Sequence, residues 1–231
     1  MWGVLAAIAL IPSPPVLVPH LAGAAAGEVA GFRDAALAAA AGLPDRWVVI
    51  GAGARGDVIG PHSRGTFAGY GVDVPVTLSP QAPDTVSALP LCALIAGWLR
   101  GQASPAASAE VRVFATDLDA PAAMAAGRAL RAEIDGTDAP IGVLVVADGA
   151  NTITPAAPGG YDPDAAAVQK SLDDALARGD ADALTRLPDS IVGRVAYQVL
   201  AGLSAPGPAA AKEVVRGAPY GVGYFVGTWT P

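Results

Sequence analysis

The 231-residue chain is poor in the residues that carry much of protein chemistry: it has one cysteine, two histidines and 14 basic against 21 acidic residues, for a net charge of −7. Cys92 cannot form an internal disulfide, and its neighbours Leu91, Ala93, Leu94 and Ile95 predict a buried thiol. A reducing, cytoplasmic compartment fits that usage. No stretch collects more than a few Lys or Arg, which excludes nucleic acid and anionic membrane as partners, because both require a concentrated positive face. Long apolar runs are also lacking. Val4–Ile11 is followed by Pro12, Pro14, Pro15 and Pro19, well short of the roughly 20 apolar residues of a membrane span, and no basic segment precedes it. It reads as a first buried strand.

What the chain does have is a 52% hydrophobic composition, enough for a sizeable core, and the expectation is a single domain over 1–231. Short apolar runs recur at Val4–Ile11, Trp47–Ile50, Val72–Leu78, Val111–Ala115 and Ile141–Ala147. Continuous Val/Ile-rich runs of that length suit strands covered on both faces. Helical patterns at Ala24–Ala41, Asp84–Arg100 and Asp119–Ile134 lie between them, followed by Asp164–Arg178, Ala181–Leu187 and Ile191–Leu203. Val214-Val215 and Gly223–Val226 read as closing strands. Alternating strands and helices predict an α/β fold of three layers, with a mostly parallel central sheet and helices on both faces.

The segment Gly51-Ala-Gly53-Ala-Arg-Gly56 follows a strand pattern and spells GxGxxG. A dinucleotide site needs a helix directly after it, whose N-terminal amides face the pyrophosphate. Gly60, Pro61, Gly65 and Gly69 break any such helix, so the motif is expected to be a small-residue turn.

Four segments carry a family resemblance. "ALIPSPPVLVPHLAG" (Ala9–Gly23), "GTFAGYGVDV" (Gly65–Val74), "VVADGANTITPAAPGGYDPDAAAVQKSL" (Val145–Leu172) and "GAPYGVGYFVG" (Gly217–Gly227) resemble, in order, segments of the LigB-type class III extradiol ring-cleavage dioxygenases and the related Memo-like proteins. The resemblance implies a three-layer α/β fold and, in active members, Fe(II) held by two histidines and a glutamate, with a further histidine as acid/base. Such a ligand set leaves positions open for a catechol and dioxygen. Carried over, the two histidine ligands fall on Ser13 and Gly53, the glutamate on Gly217 and the acid/base histidine on Asn151. None of these can fill the original role. Glycine has no side-chain donor, neutral serine is a poor ligand, and asparagine does not shuttle protons near neutral pH.

The resemblance therefore implies a retained fold with its iron site lost: no confident catalytic residue, no metal and no cofactor, around a pocket of Ser13, Gly53, Asp148, Asn151 and Gly217. Asp148, Asn151, Thr152 and Thr154 crowd the turn after a predicted strand, where open parallel sheets bind ligands. An Asx-type turn with a threonine cap would use the same residues for backbone hydrogen bonds, and the two readings weigh equally. Tyr161 is a further pocket candidate, with Asp162-Pro163-Asp164 opening the next helix. His62 sits in a Gly/Pro-rich loop, more simply a surface histidine than a partner of Asp148 in a makeshift metal site. His20 reads as solvated or capping. Ser13 fits a turn residue better than a nucleophile, and Tyr220, Tyr224 and Trp229 fit packing. Three functions follow. The first is a family member of unassigned activity with a small-molecule ligand. The second is a non-catalytic homo-oligomeric or partner-subunit scaffold using an apolar surface rich in Ala, Trp98 or Trp229. The third is an active dioxygenase that holds Fe(II) in a non-standard site.

Overall fold

The computed structural model describes residues 5–231. In chain order the elements are β1 (Leu5–Ile11), α1 (Pro19–Ala22), α2 (Ala30–Ala41), β2 (Arg46–Gly53), β3 (Asp57–Ile59), β4 (Arg64–Thr66), β5 (Pro75–Thr77), α3 (Leu91–Ala103) and β6 (Ser108–Ala115). They continue with α4 (Ala120–Asp135), β7 (Ile141–Val146), α5 (Ala165–Arg178), α6 (Ala181–Leu184), α7 (Arg194–Ser204), β8 (Ala210–Gly217) and β9 (Tyr224–Thr230). Seven strands form one sheet in the order β3-β6-β2-β7-β1-β9-β8. β6, β2, β7 and β1 are parallel; β3 runs antiparallel to β6 at one edge, and at the other β9 runs antiparallel to β1 and to β8. The expected mostly parallel three-layer α/β architecture is what forms.

Alternation along the central strands sends side chains to two cores. Ile8, Leu10, Val48, Ile50, Val143 and Val145 pack with α4, α5 and α7. Ala9, Ile11, Trp47, Val49, Leu144 and Val146 pack with α2 and α3 on the other face. A strand covered on both faces has no polar positions to spare, and all six residues of β7 are buried. Behind the sheet, α4 and α7 cross at two glycines. A Cβ on Gly127 would lie 2.0 Å from the Val199 carbonyl oxygen, and one on Gly202 would lie 2.1 Å from that of Met124.

Several element boundaries differ from the sequence expectations. Val4 lies outside the described residues. Ala24–Ala41 is not one helix: a 3-10 turn spans Gly23–Ala26, and the regular helix begins at Ala30 after Gly27, whose conformational freedom disfavours continuation. Asp84 lies outside the helix, paired with Arg64 at 2.8 Å, and the pattern over Asp84–Arg100 becomes helical only at Leu91. Pro90 precedes it, and its ring disfavours helical backbone at Leu89. Val72–Leu78 contributes only Pro75–Thr77, paired with β4 in a separate two-stranded ribbon. Ala181–Leu187 shortens to α6, and Ile191–Leu203 becomes Arg194–Ser204.

No helix follows Gly56. The chain instead turns back as β3, antiparallel to β6, so the amides that a pyrophosphate would need are absent there. Gly51 has another role: a Cβ there would sit 2.4 Å from that of Cys92, so the glycine admits α3 against the sheet. Trp98 and Trp229 are only 7% and 1% exposed, so neither supplies the apolar surface expected of a scaffold. Tyr224 is buried as expected of a packing residue, whereas Tyr220 is exposed with φ of 58°. That left-handed backbone belongs to the tight β8–β9 connection.

Candidate functional site

The central strands β1, β2 and β7 run in one direction and end side by side, which brings the residues after them to one sheet edge. At that edge Ser13 binds Asp148 twice, its N–H donating to Oδ1 at 2.7 Å and its hydroxyl to Oδ2 at 2.6 Å. The two residues are 135 positions apart. Pro12 and Pro14 flank Ser13 and fix the turn that presents both donors. Burial pushes the Asp148 carboxyl above its usual range, and the two Ser13 donors pull it partly back. The negative charge is felt by two buried phenols. Tyr197, which donates to the Ala147 carbonyl oxygen at 2.9 Å, is raised by burial and then by Asp148. Tyr224 is raised by the same causes in the same order.

Gly53 ends β2 at this edge, and Gly217 ends β8 opposite Tyr224. Both are hemmed in toward the α2/α3 face. A Cβ on Gly53 would lie 2.9 Å from Val113 Cγ1, and one on Gly217 would lie 3.1 Å from Phe32 Cζ. Phe32 stands edge-on to Tyr224 with centroids 5.6 Å apart, so aromatic rings fill the space a longer side chain would need. Ser13 is committed to Asp148. Among the described residues no three His, Cys, Asp or Glu side chains come together as a metal-binding group. These residues do not fit the two-histidine, one-carboxylate iron centre that the family resemblance implies.

The turn after β7 is mostly a backbone construction. Gly149 N–H donates to Gly223 O, Gly223 N–H to Ala150 O, and Ile153 N–H to Gly221 O, zipping the loop to the start of β9. Asn151 and Thr152 close its far end, their carbonyls accepting from Gly159 and Asp162. The Asn151 side chain lies against Gly159, and no described hydrogen bond joins it to Ser13 or Asp148. The Thr152 hydroxyl is buried without a partner. Thr154 Oγ1 would be 2.4 Å from a Cβ on Gly221, whose φ of +73° already favours glycine. Tyr161 is 59% exposed. His62 is exposed, with Nδ1 3.4 Å from the Gln81 carbonyl, and His20 is exposed on α1. Arg64 pairs with Asp84, and Arg216 with Asp174 and Glu213.

Sequence reading missed the residue that supports this turn from behind. Gln169, 5% exposed, accepts from Ala150 N–H at 2.8 Å and donates to Asp173 Oδ1 at 2.7 Å. Its amide fits only because Gly149 and Gly223 have no Cβ; either one would come within 2.0 Å of Oε1. A signal was present: Gln169 and Asp173 interrupt the apolar stripe of α5 four residues apart, and polar residues there must find buried partners.

Neither a family model nor a curated protein matches the sequence. Among solved structures, the crystal structure of uncharacterized protein JW3007 from Escherichia coli K12 is similar, with a TM-score of 0.59 and 12% identity over 97% of this chain and 99% of that chain. That likeness shows the fold and nothing of the chemistry.

Proposed function

We propose that this protein is a degenerate relative of the class III extradiol dioxygenases, without the iron centre, that binds a small molecule at the carboxyl edge of its sheet. The observation that carries the reading is the Ser13–Asp148 pair. A half-enclosed carboxylate is held at the position where open parallel sheets take ligands, although burial opposes its charge. A carboxylate kept against that opposition suits recognition of a hydroxyl or N–H donor on a ligand. The packing of Val113 and Phe32 around Gly53 and Gly217 supports loss of iron binding as settled into the core rather than as two missing side chains. The proposed compartment is the cytoplasm, in keeping with the buried free thiol of Cys92; among the described residues no helix is long and apolar enough to cross a membrane.

The test is metal analysis of protein purified without chelators, together with native mass spectrometry for a retained small molecule. Substoichiometric iron and a ligand lost from Asp148→Asn are the expected results. About one iron per chain with cleavage of a catechol ring would overturn the proposal.

A further inference from the structure

Across β8 from Phe32, on its α5 side, lies a cleft of about 370 Å³ lined by Ile153, Ala166, Gln169, Asp173, Arg216 and Ala218 among others. Its charges are unequally matched. Arg216 pairs with Asp174 at 2.8 Å and with Glu213 at 3.1 Å, and Lys170 pairs with Asp174 at 2.6 Å. Two cations are thus shared between two carboxylates, leaving Asp173 without an ion pair among the described residues. Asp173 is 7% exposed, and Gln169 occupies only its Oδ1. Among the described hydrogen bonds none reaches Oδ2, and Asp173 lines the cleft.

A buried carboxylate with one open oxygen and, among the described residues, no cation paired directly to it is complementary to a compact cationic donor. An anionic ligand is disfavoured because Lys170 and Arg216, the cations near the cleft among the described residues, are already engaged. A metal ion would find one free carboxylate oxygen, since the Gln169 carbonyl oxygen is taken by Ala150 N–H. Ile153 and Ala166 offer apolar surface beside the carboxylate for a short methylene stem. We infer that this cleft binds a small aliphatic primary ammonium ion, with Asp173 as its counter-ion and Gln169 as the residue that orients the carboxylate. The site uses residues other than Ser13 and Asp148 and stands independently of the function proposed above.

Burial pushes Asp173 up to about 6, against the pull of Gln169 and Arg216 and with the push of Glu213 and Asp174. Lys170 stands beside it on α5, and Tyr197 of α7 senses its charge. The cation therefore binds the ionised form, and affinity falls about tenfold from pH 7.5 to pH 5.

The experiment titrates n-butylammonium chloride into the isotopically labelled 231-residue chain at constant ionic strength, with sodium butyrate and n-butanol as controls, and follows the Gln169, Gly217 and Ala218 amides. Saturable shifts with n-butylammonium at pH 7.5, weaker by about tenfold at pH 5 and absent from Asp173→Asn, are expected. Equal binding of n-butanol, preference for butyrate, no saturation by tens of millimolar, or unchanged binding by Asp173→Asn would each overturn the inference. The ligand and pH comparisons use the unaltered chain, so they decide the matter even if the variant folds poorly.

Discussion

Replacing Ser13 with alanine removes one of the two donors that hold Asp148. Its hydroxyl bond is 2.6 Å long and reaches a half-enclosed carboxylate. A hydrogen bond to a charged group contributes about 2 kcal/mol, which for a chain of this size is roughly 4–8 °C in Tm. The loss depends on pH in a definite direction. The folded pKa of Asp148 is raised above 3.8, so over the window above 3.8 the native state holds the proton more tightly than the unfolded chain. In that window this group's contribution to stability declines as pH rises. Ser13 offsets the decline by stabilising the ionised form. The Ser13→Ala loss therefore falls between pH 7.5 and pH 4, toward about 1 kcal/mol, that of a neutral hydrogen bond, as Asp148 takes up its proton. Asp148→Asn keeps an acceptor for the Ser13 N–H and supplies an amide donor to its hydroxyl, while removing the buried charge. It should leave stability at pH 7.5 unchanged or raise it by up to about 1 kcal/mol. Urea denaturation of the three proteins at both pH values is the assay. An equal Ser13→Ala loss at both, or a loss above about 2 kcal/mol for Asp148→Asn at pH 7.5, would refute the claim that the carboxylate is retained at a cost in stability.

Other consequences of the packing can be checked alongside. Gly127→Ala should destabilise by about 3 kcal/mol, because the added carbon meets the Val199 carbonyl 2.0 Å away and neither helix backbone can yield cheaply. Gly202→Ala should behave alike, and since the two glycines touch, a double variant should lose less than the sum in thermal melts. Arg100, 5% exposed, donates to the carbonyls of Thr77, Pro105 and Ala107 and to the Thr77 hydroxyl. Arg100→Met should cost about 3 kcal/mol or more and raise hydrogen exchange in β5 and in residues 104–108, whereas a loss under about 1 kcal/mol would contradict that role. Cys92 is buried with its thiol pushed up to about 11, so a thiol reagent at pH 8 should label it only at the rate at which α3 opens, and fast labelling of the native protein would argue against the packing at Gly51.

Much of this was legible in the chain itself. The Val/Ile runs at 47–50 and 141–147 read as strands buried on both faces and are so, whereas the run at 111–115 forms a strand with one half-exposed face that carries Arg112; the glycines and prolines after Gly56 ruled out the helix that a dinucleotide needs. That Ser13, Gly53 and Gly217 offer neither an imidazole nor a carboxylate could be stated from residue types alone. Less visible were the short strands β3 and β4, since three residues carry no usable period and are held by partners far along the chain.

What residue type determined, then, was which side chains were available and which local backbones were permitted. Tertiary structure decided which of them meet. Ser13 and Asp148 lie 135 positions apart and are joined only because β1 and β7 run parallel and end together. Gln169 reaches Ala150 only through the gap left by Gly149 and Gly223, and Arg216, arriving on β8, pairs with Asp174 and Glu213 rather than with Asp173. The physical reason is one of range: backbone preference acts over a few residues, whereas desolvation and hydrogen bonding act between whatever groups the folded sheet brings within about 3 Å.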